Sequence, residues 1–417
     1  MKSKIYANPL EDSALDQYVT ALSQPDAIQG ALMADAHTGY TLPIGAVIKS
    51  KKIYPSYVGN DIGCGVLGYE LNIDWRTLDL ESIRDSIVRD IPIGKNFNDI
   101  SNQKNRYLFS DANHICDTKY TGGEMGKFLD SIFNEEYAKS IGTLGGGNHF
   151  IELCKGYENN NTWIVVHSGS RSMGGKLGSY YMKLASAENI TIDKRSILDS
   201  YLIGKEDTLA HNPKRFAKNF EAHIESVIIS TPIKNAAGHH GLSLSDELGL
   251  QYLYDMNVCL DFAMLNREVM ANKVMDIIGV GDDTILNKIN SHHNHAEDVG
   301  DGIIHRKGAS QADTGVLSII PANMRDGSFI VRGLGNPDSM CSSSHGAGRV
   351  MSRTKARQVL SLDNYKEEMK NIVNNHTDEN IDEAPDAYKN IFDVMEAQKD
   401  LVEIVDRIIP ILNIKGN

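Results

Sequence analysis

Asp61 and Cys64 in VGNDIGCGV, His149 in GTLGGGNHFIEL, His167 in WIVVHSGSR, His293 in NSHHNHAE and His345 in CSSSHGAGR all sit among glycine, serine and asparagine. Such neighbours expose backbone N–H groups and let a phosphate approach closely. Residues of this chemistry, spread over most of the chain at expected loop tips, describe a reaction centre and not a core. Asp61 and Cys64 are separated only by Ile62 and Gly63, so one tight turn can aim a carboxylate and a thiolate at the same point. A mixed oxygen, sulfur and nitrogen set suits Mn, Zn or Fe better than Mg or Ca.

The 417 residues, 41% hydrophobic and 23% charged, suffice for an extensive core. MKSKIYANPLEDSALDQYVTAL has no apolar leader segment, and no run approaches the ~18 apolar residues of a membrane span. These features predict a cytoplasmic protein without membrane contact. Five cysteines without a CxxC pair argue for reduced thiols. A net charge of −13 excludes a generic polyanion binder. Locally the balance reverses: from Asp301 to Leu360 there are eight basic residues (Arg306, Lys307, Arg325, Arg332, Arg349, Arg353, Lys355, Arg357) and four acidic ones. This stretch reads either as a basic wall for a phosphate-bearing substrate or as a solvated face.

No repeat, low-complexity tract or linker divides the chain. TWIVV and SFIVRGL read as buried strands, with His167 and the turn from Gly333 to Asn336 just beyond them. HFIEL reads as a strand with His149, Ile151 and Leu153 on one face and Phe150 and Glu152 on the other. Ser245 to Ile278 is one long helix or two with a kink, its methionines filling core. Residues 94–122 and 191–218 have weak periodicity and read as surface excursions or short irregular elements.

GTLGGGNH lacks the Lys-Ser/Thr of a phosphate-binding P-loop and leads into a strand. SHGAGRVMSRTKARQVL places a glycine-rich turn before a helix, so its N–H groups and the positive helix end can receive a phosphate beside His345. His345 is then either a nucleophile toward phosphorus or a further metal ligand.

MADAHTGYTLPIGAVI, VGNDIGCGV, GTLGGGNHFIEL, VHSGSRSMG, HHN, HRKGAS, the block from Ile320 to Ala356 and the terminal IKGN together resemble the RtcB family of RNA ligases, in order, from Met33 to Lys415. The resemblance implies an α+β fold, with mixed β-sheets flanked by helices in a single catalytic domain over 1–417. It implies a ligase that uses GTP and two Mn²⁺ ions to join an RNA 3′-phosphate or 2′,3′-cyclic phosphate end to a 5′-hydroxyl, in tRNA splicing or RNA repair. Asp61, Cys64, His149, His167 and His293 would hold the metals, with Cys64 bridging. His345 would carry GMP and pass it to the RNA, forming an RNA(3′)pp(5′)G intermediate. The nucleotide site would comprise Asn148, His149, Phe150, Ile151, Glu152, His293, Asn294, Pro321, Ala322, Asn323, Met324, Ser328, His345, Gly346, Ala347, Gly348 and Lys415. Tyr388 would stack on the base, Asp35 and His37 would orient the ligands or His345, and Arg171, Arg349 and Arg353 would meet RNA phosphates. The expected partners are RNA and, in some members, the activator archease; the expected state is a monomer.

The chain departs from the family pattern at Ala34, Asn60, Ala322 and Asn323. Asn323 replaces a hydroxyl within the nucleotide site, so it bears on nucleotide preference. Two readings from other classes use the same residues: a metal-dependent phosphoesterase acting on RNA ends, with water as nucleophile, and a non-catalytic RNA-end sensor. A lysine-nucleotidyl ligase is disfavoured, because no KxDG motif occurs.

Overall fold

The computed structural model describes residues 2–99, 126–189, 194–230 and 238–416. It is an α+β structure built on two sheets and a short ribbon. The larger sheet runs in the order β11 (Leu317–Asn323), β12 (Gly327–Gly333), β15 (Val402–Lys415), β5 (Phe150–Gly156), β6 (Asn161–Ser168), β4 (Gly65–Asp74), β7 (Ile285–His292), with β14 (Val373–Asn374) added in parallel beside β15. The smaller sheet runs β1 (Lys2–Ile5), β2 (Ala27–His37), β3 (Ile44–Ser50), β9 (Ile303–Lys307), β8 (Asn294–Asp298). β10 (Ala309–Gln311) and β13 (Ser342–Ser344) form the ribbon.

HFIEL and TWIVV form β5 and β6 as expected, and both strands are buried on both faces. On one face, Ile151, Leu153, Ile164 and Val166 pack with Met270, Val274 and Met275 of the helix Glu247–Ile278. On the other, Phe150, Cys154, Trp163 and Val165 pack with Ile319 of β11 and Ile330 of β12. The Ile319 side chain reaches Gly68 of β4, so the sheet curls back across its own strand order.

Register then does the positioning. Phe150 pairs with Lys415 and with His167, His167 with Val66, and Gly65 with His292. Five neighbouring strands therefore end level with one another, carrying Lys415, His149, His167, Cys64 and His293 at or next to that edge. His293 is also where the chain leaves β7 in the larger sheet and enters β8 in the smaller one. In the smaller sheet His37 pairs with Ile44 and Asn294 with Lys307, and these four residues line the same cavity.

Of the two readings of Ser245–Ile278, the single long helix is the one found: it runs Glu247–Ile278 and is ended by Gly279 in the left-handed conformation. Two expectations are corrected. His167 lies within β6 and not beyond it. The segment 191–218 is helical where described, with helices Lys194–Leu202, Glu206–His211 and Pro213–Ser230. In it Tyr201 packs against Phe216, Phe220 and His223, so its apolar residues form a small local cluster. Most of the other excursion, residues 100–122, lies outside the described residues, as does Cys116; Cys64, Cys154, Cys259 and Cys341 are free.

Candidate active site at the sheet ends

The Asp61–Cys64 turn is closed by the Cys64 N–H donating to Asp61 O, and Gly63 takes φ +71°. That left-handed conformation favours glycine, since it costs a residue with a Cβ more. The turn is tied to the sheet crossover, because His293 N–H donates to Cys64 O and Gly63 N–H to Asn294 O. Cys64 Sγ then lies 3.2 Å from His167 Nε2 and 3.4 Å from His149 Nε2. His149 Nε2 is also 3.3 Å from Asp61 Oδ2, and His167 Nε2 is 3.3 Å from His293 Nε2. At Gly145 an added Cβ would fall 2.0 Å from His149 Nδ1, so the GTLGGGNH loop reaches this ring only through glycine.

These donors fit a divalent transition metal. Cys64, His149 and His167 offer ligand atoms that all lie within 4.8 Å of one another. His167 engages Asn148 O through Nδ1 at 3.1 Å, which leaves Nε2 presenting a lone pair toward His293 and the thiol. Burial, then the neighbouring charges of His149 and His345, lower His167, and burial with His345 lowers His293, so both rings are neutral. Burial alone would raise Asp61, but the His149 charge and hydrogen bond hold it below the usual carboxylate range. Burial and Asp61 push the Cys64 thiol well up, and a bound cation is what reverses such a shift.

His345 follows β13 and packs edge-on against His293, with ring centroids 4.7 Å apart. Its Nδ1 lies 2.7 Å from Oδ2 of the fully buried Asp35. The same oxygen accepts the backbone N–H of His345 and of Gly346, so Asp35 holds both the ring and the loop. The helix after the glycine-rich turn begins only at Arg353 and is capped by Ser352. The expectation that a helix end faces His345 is thus corrected: Gly346 N–H is taken by Asp35 and Ala347 N–H by Pro321 O.

A cavity of about 380 Å³ opens beside these groups, within the range of small-molecule sites. Of the residues expected to hold nucleotide, all line it except His149, which touches Cys64 and Asp61, Ile151, which is in the core, and Ser328, which is buried. Deep in the wall, Glu152 is buried and its carboxyl is pushed up to about 7, burial outweighing the Asn413 hydrogen bond and Lys415. Lys415 is no tail charge: it is buried, with Nζ 3.1 Å from Glu383 Oε2 and 3.3 Å from Asn148 O. Tyr388 lines the cavity and donates to Glu383 Oε2 at 2.5 Å.

The family model described as tRNA-splicing ligase RtcB matches residues 17–416. The chain belongs to the RtcB family. It is similar to the RNA-splicing ligase RtcB of Escherichia coli K12, at 33% identity with 98% of this chain and 95% of that protein covered. The tRNA-splicing ligase RtcB of Nanoarchaeum equitans is 26% identical, with 99% and 94% covered. The RNA-splicing ligase RtcB2 of Escherichia coli ATCC 25922 is 25% identical, with 98% and 93% covered.

Against the RtcB pattern, two departures, Ala322 and Asn323, stand in the cavity wall and two, Ala34 and Asn60, stand outside it. Ala34 and Ala322 pack in one apolar cluster. Asn323 lines the cavity, yet its Oδ1 accepts the N–H groups of Arg325 and Asp326 and its Nδ2 donates to Asp326, so the side chain builds the β11–β12 turn. Asn60 Oδ1 accepts from Ser179 at 3.4 Å. The basic stretch does not make one wall. Arg306 is buried against Glu297 and Ser342, Arg325 pairs with Asp326 and Glu368, and only Lys307, Arg349 and Arg353 from that set line the cavity. The cavity arginines are engaged too: Arg349 with Glu383 and Asp382, Arg353 with the same two residues, while Arg171 holds Thr143 and Gly94 O.

Sequence reasoning missed Arg267. This buried arginine donates to Gly63 O at 2.9 Å, Ser168 O at 2.8 Å and Asn290 Oδ1 at 2.8 Å, clamping the ends of β4, β6 and β7 where the donors stand. Its signal was a charge within the apolar FAMLNREVM stretch of the long helix. Asn413, a polar residue in IPILNIKGN, was missed in the same way.

Proposed function

We propose that the protein is a GTP- and Mn²⁺-dependent RNA ligase that joins RNA 3′-phosphate or 2′,3′-cyclic phosphate ends to 5′-hydroxyl ends. In this reading residues 1–417 act as one catalytic domain, in the cytoplasm, as a monomer, alone or with archease. The observation that carries it is His345: Asp35 engages Nδ1, which leaves Nε2 as the nitrogen available to the cavity beside the donor cluster. His345 Nε2 attacks the α-phosphorus of GTP, a P–N bond forms and pyrophosphate leaves. Asp35 accepts the Nδ1–H and stabilises the positive ring that develops. An oxygen of the RNA 3′-phosphate, freed by hydrolysis where the end is cyclic, then attacks the same phosphorus and breaks the P–N bond, giving RNA(3′)pp(5′)G. Attack by the 5′-hydroxyl on the RNA phosphorus expels GMP and closes the strand.

Asp61, Cys64, His149, His167 and His293, which touch one another in a chain through Cys64, would hold the two Mn²⁺ ions, and these would neutralise phosphate charge as Lewis acids. Glu152 receives the N–H edge of guanine, Lys415 and Asn148 flank it, and Tyr388 lies against the base.

The test is incubation with α-³²P-GTP and Mn²⁺ followed by a denaturing gel. Wild-type protein takes an acid-labile, alkali-stable label; His345→Ala and Cys64→Ala take none. Absence of label from wild type that binds Mn²⁺ would instead favour phosphoester hydrolysis or end binding.

A further inference from the structure

Glu152 does not stand alone in the cavity wall. Asn413, its cross-strand partner on β15, is fully buried and donates from Nδ2 to Glu152 Oε1 at 2.5 Å. The other end of that amide, Oδ1, lies 2.6 Å from His376 Nε2. His376 is placed by β14, whose Asn374 pairs with Asn413, and its ring stacks on Tyr365 at an interplanar angle of 13°. The neighbouring Asn375 grips the backbone N–H and O of Lys415. This segment thus braces two of the groups proposed to meet the base.

The chain of contacts has a direction. An imidazole N–H donating to the amide oxygen turns the amide N–H toward Glu152 Oε1, and the Cys154 thiol lies 3.6 Å from Oε2, so both carboxyl oxygens face donors and the ionised form is favoured. The flipped amide would point its oxygen at the carboxylate and force a proton onto it. An ionised Glu152 accepts from the N1–H and N2–H donors of guanine; adenine would face it with an unprotonated N1, two acceptors in contact.

We propose that His376 and Asn413 are positioning residues that set nucleotide preference: His376 fixes the Asn413 amide, and Asn413 holds Glu152 as the acceptor that selects guanine over adenine. This rests on the guanylyl-transfer reading above. The test measures label transfer from α-³²P-GTP and α-³²P-ATP over a range of concentrations in wild type, His376→Phe, Asn413→Leu and His376→Gln. The phenylalanine keeps the stack on Tyr365 and removes the donor; the glutamine restores one. In His376→Phe and Asn413→Leu, KM for GTP rises about tenfold, more than the saturated rate falls, and the GTP-over-ATP preference drops at least tenfold. His376→Gln recovers part of both. If Asn413→Leu fails to fold, the half-buried His376 position decides alone. Wild-type KM and preference in His376→Phe overturn the relay and leave guanylyl transfer standing; a wild type that takes no label from either nucleotide overturns both.

Discussion

Burial raises the Glu152 carboxyl to about 7 against the pull of Asn413 and Lys415, so its charge changes inside the physiological range. In the proposed nucleotide site the ionised form is the one that would accept from guanine, and binding should therefore strengthen as pH rises through that value. GDP affinity is expected to fall about tenfold between pH 8 and pH 6, since a group of pKa 7 is mostly protonated at the lower pH. Titration calorimetry checks this, and Glu152→Gln should bind weakly with a flat profile. An unchanged slope in the glutamine variant would assign the dependence to another group. At this scale the sequence singled out His345 and the proposed metal donors through their glycine, serine and asparagine neighbours, and Glu152 through the family resemblance. It was silent on Asn413 and His376, because a relay of side chains from separate strands leaves no spacing in the chain. Asn323 lines the cavity as its place in the motif suggested, and its hydrogen bonds to the turn are a second role that the motif did not announce.

Elements carry the site through their ends, and the helix Glu247–Ile278 is the one that locks those ends together. Replacing Arg267 by methionine keeps most of the packing but leaves Ser168 O and Asn290 Oδ1 without this donor, while Gly63 O keeps His292 Nδ1 at 3.1 Å. Buried acceptors stripped of partners cost about 1–3 kcal/mol each, so urea unfolding should show a loss of about 3 kcal/mol or more, with weaker Mn²⁺ binding. A loss below about 1 kcal/mol would mean that water replaces the guanidinium. The strands β5, β6 and β12 were legible because β-branched, apolar runs have few other uses. The helices of residues 194–230 were not, since Tyr201, Phe216, Phe220 and His223 form a small local cluster, and pattern arguments detect faces that meet a continuous core.

For the whole molecule, two sheets meet around the donor cluster, so a bound ion joins distant parts of the chain. A ligand that binds only the folded state stabilises it by about 2.7 kcal/mol at a hundredfold excess over its dissociation constant. Mn²⁺ should accordingly raise the melting temperature by several degrees, EDTA should reverse it, and Cys64→Ala should show little of either; an equal rise in that variant would place the ion elsewhere. No described helix is long and apolar enough to cross a membrane, and the α+β class followed from the resemblance. The curl of the larger sheet did not, because Ile319 and Gly68 meet across some 250 residues of chain. Where β7 hands over to β8, one residue, His293, is both the joint between sheets and a proposed ligand. For anyone wishing to permute, split or tag this enzyme, that joint is the worst place to cut: opening the chain between Ser291 and Asn294 would unfasten the two halves of the scaffold and disarm the chemistry in one stroke.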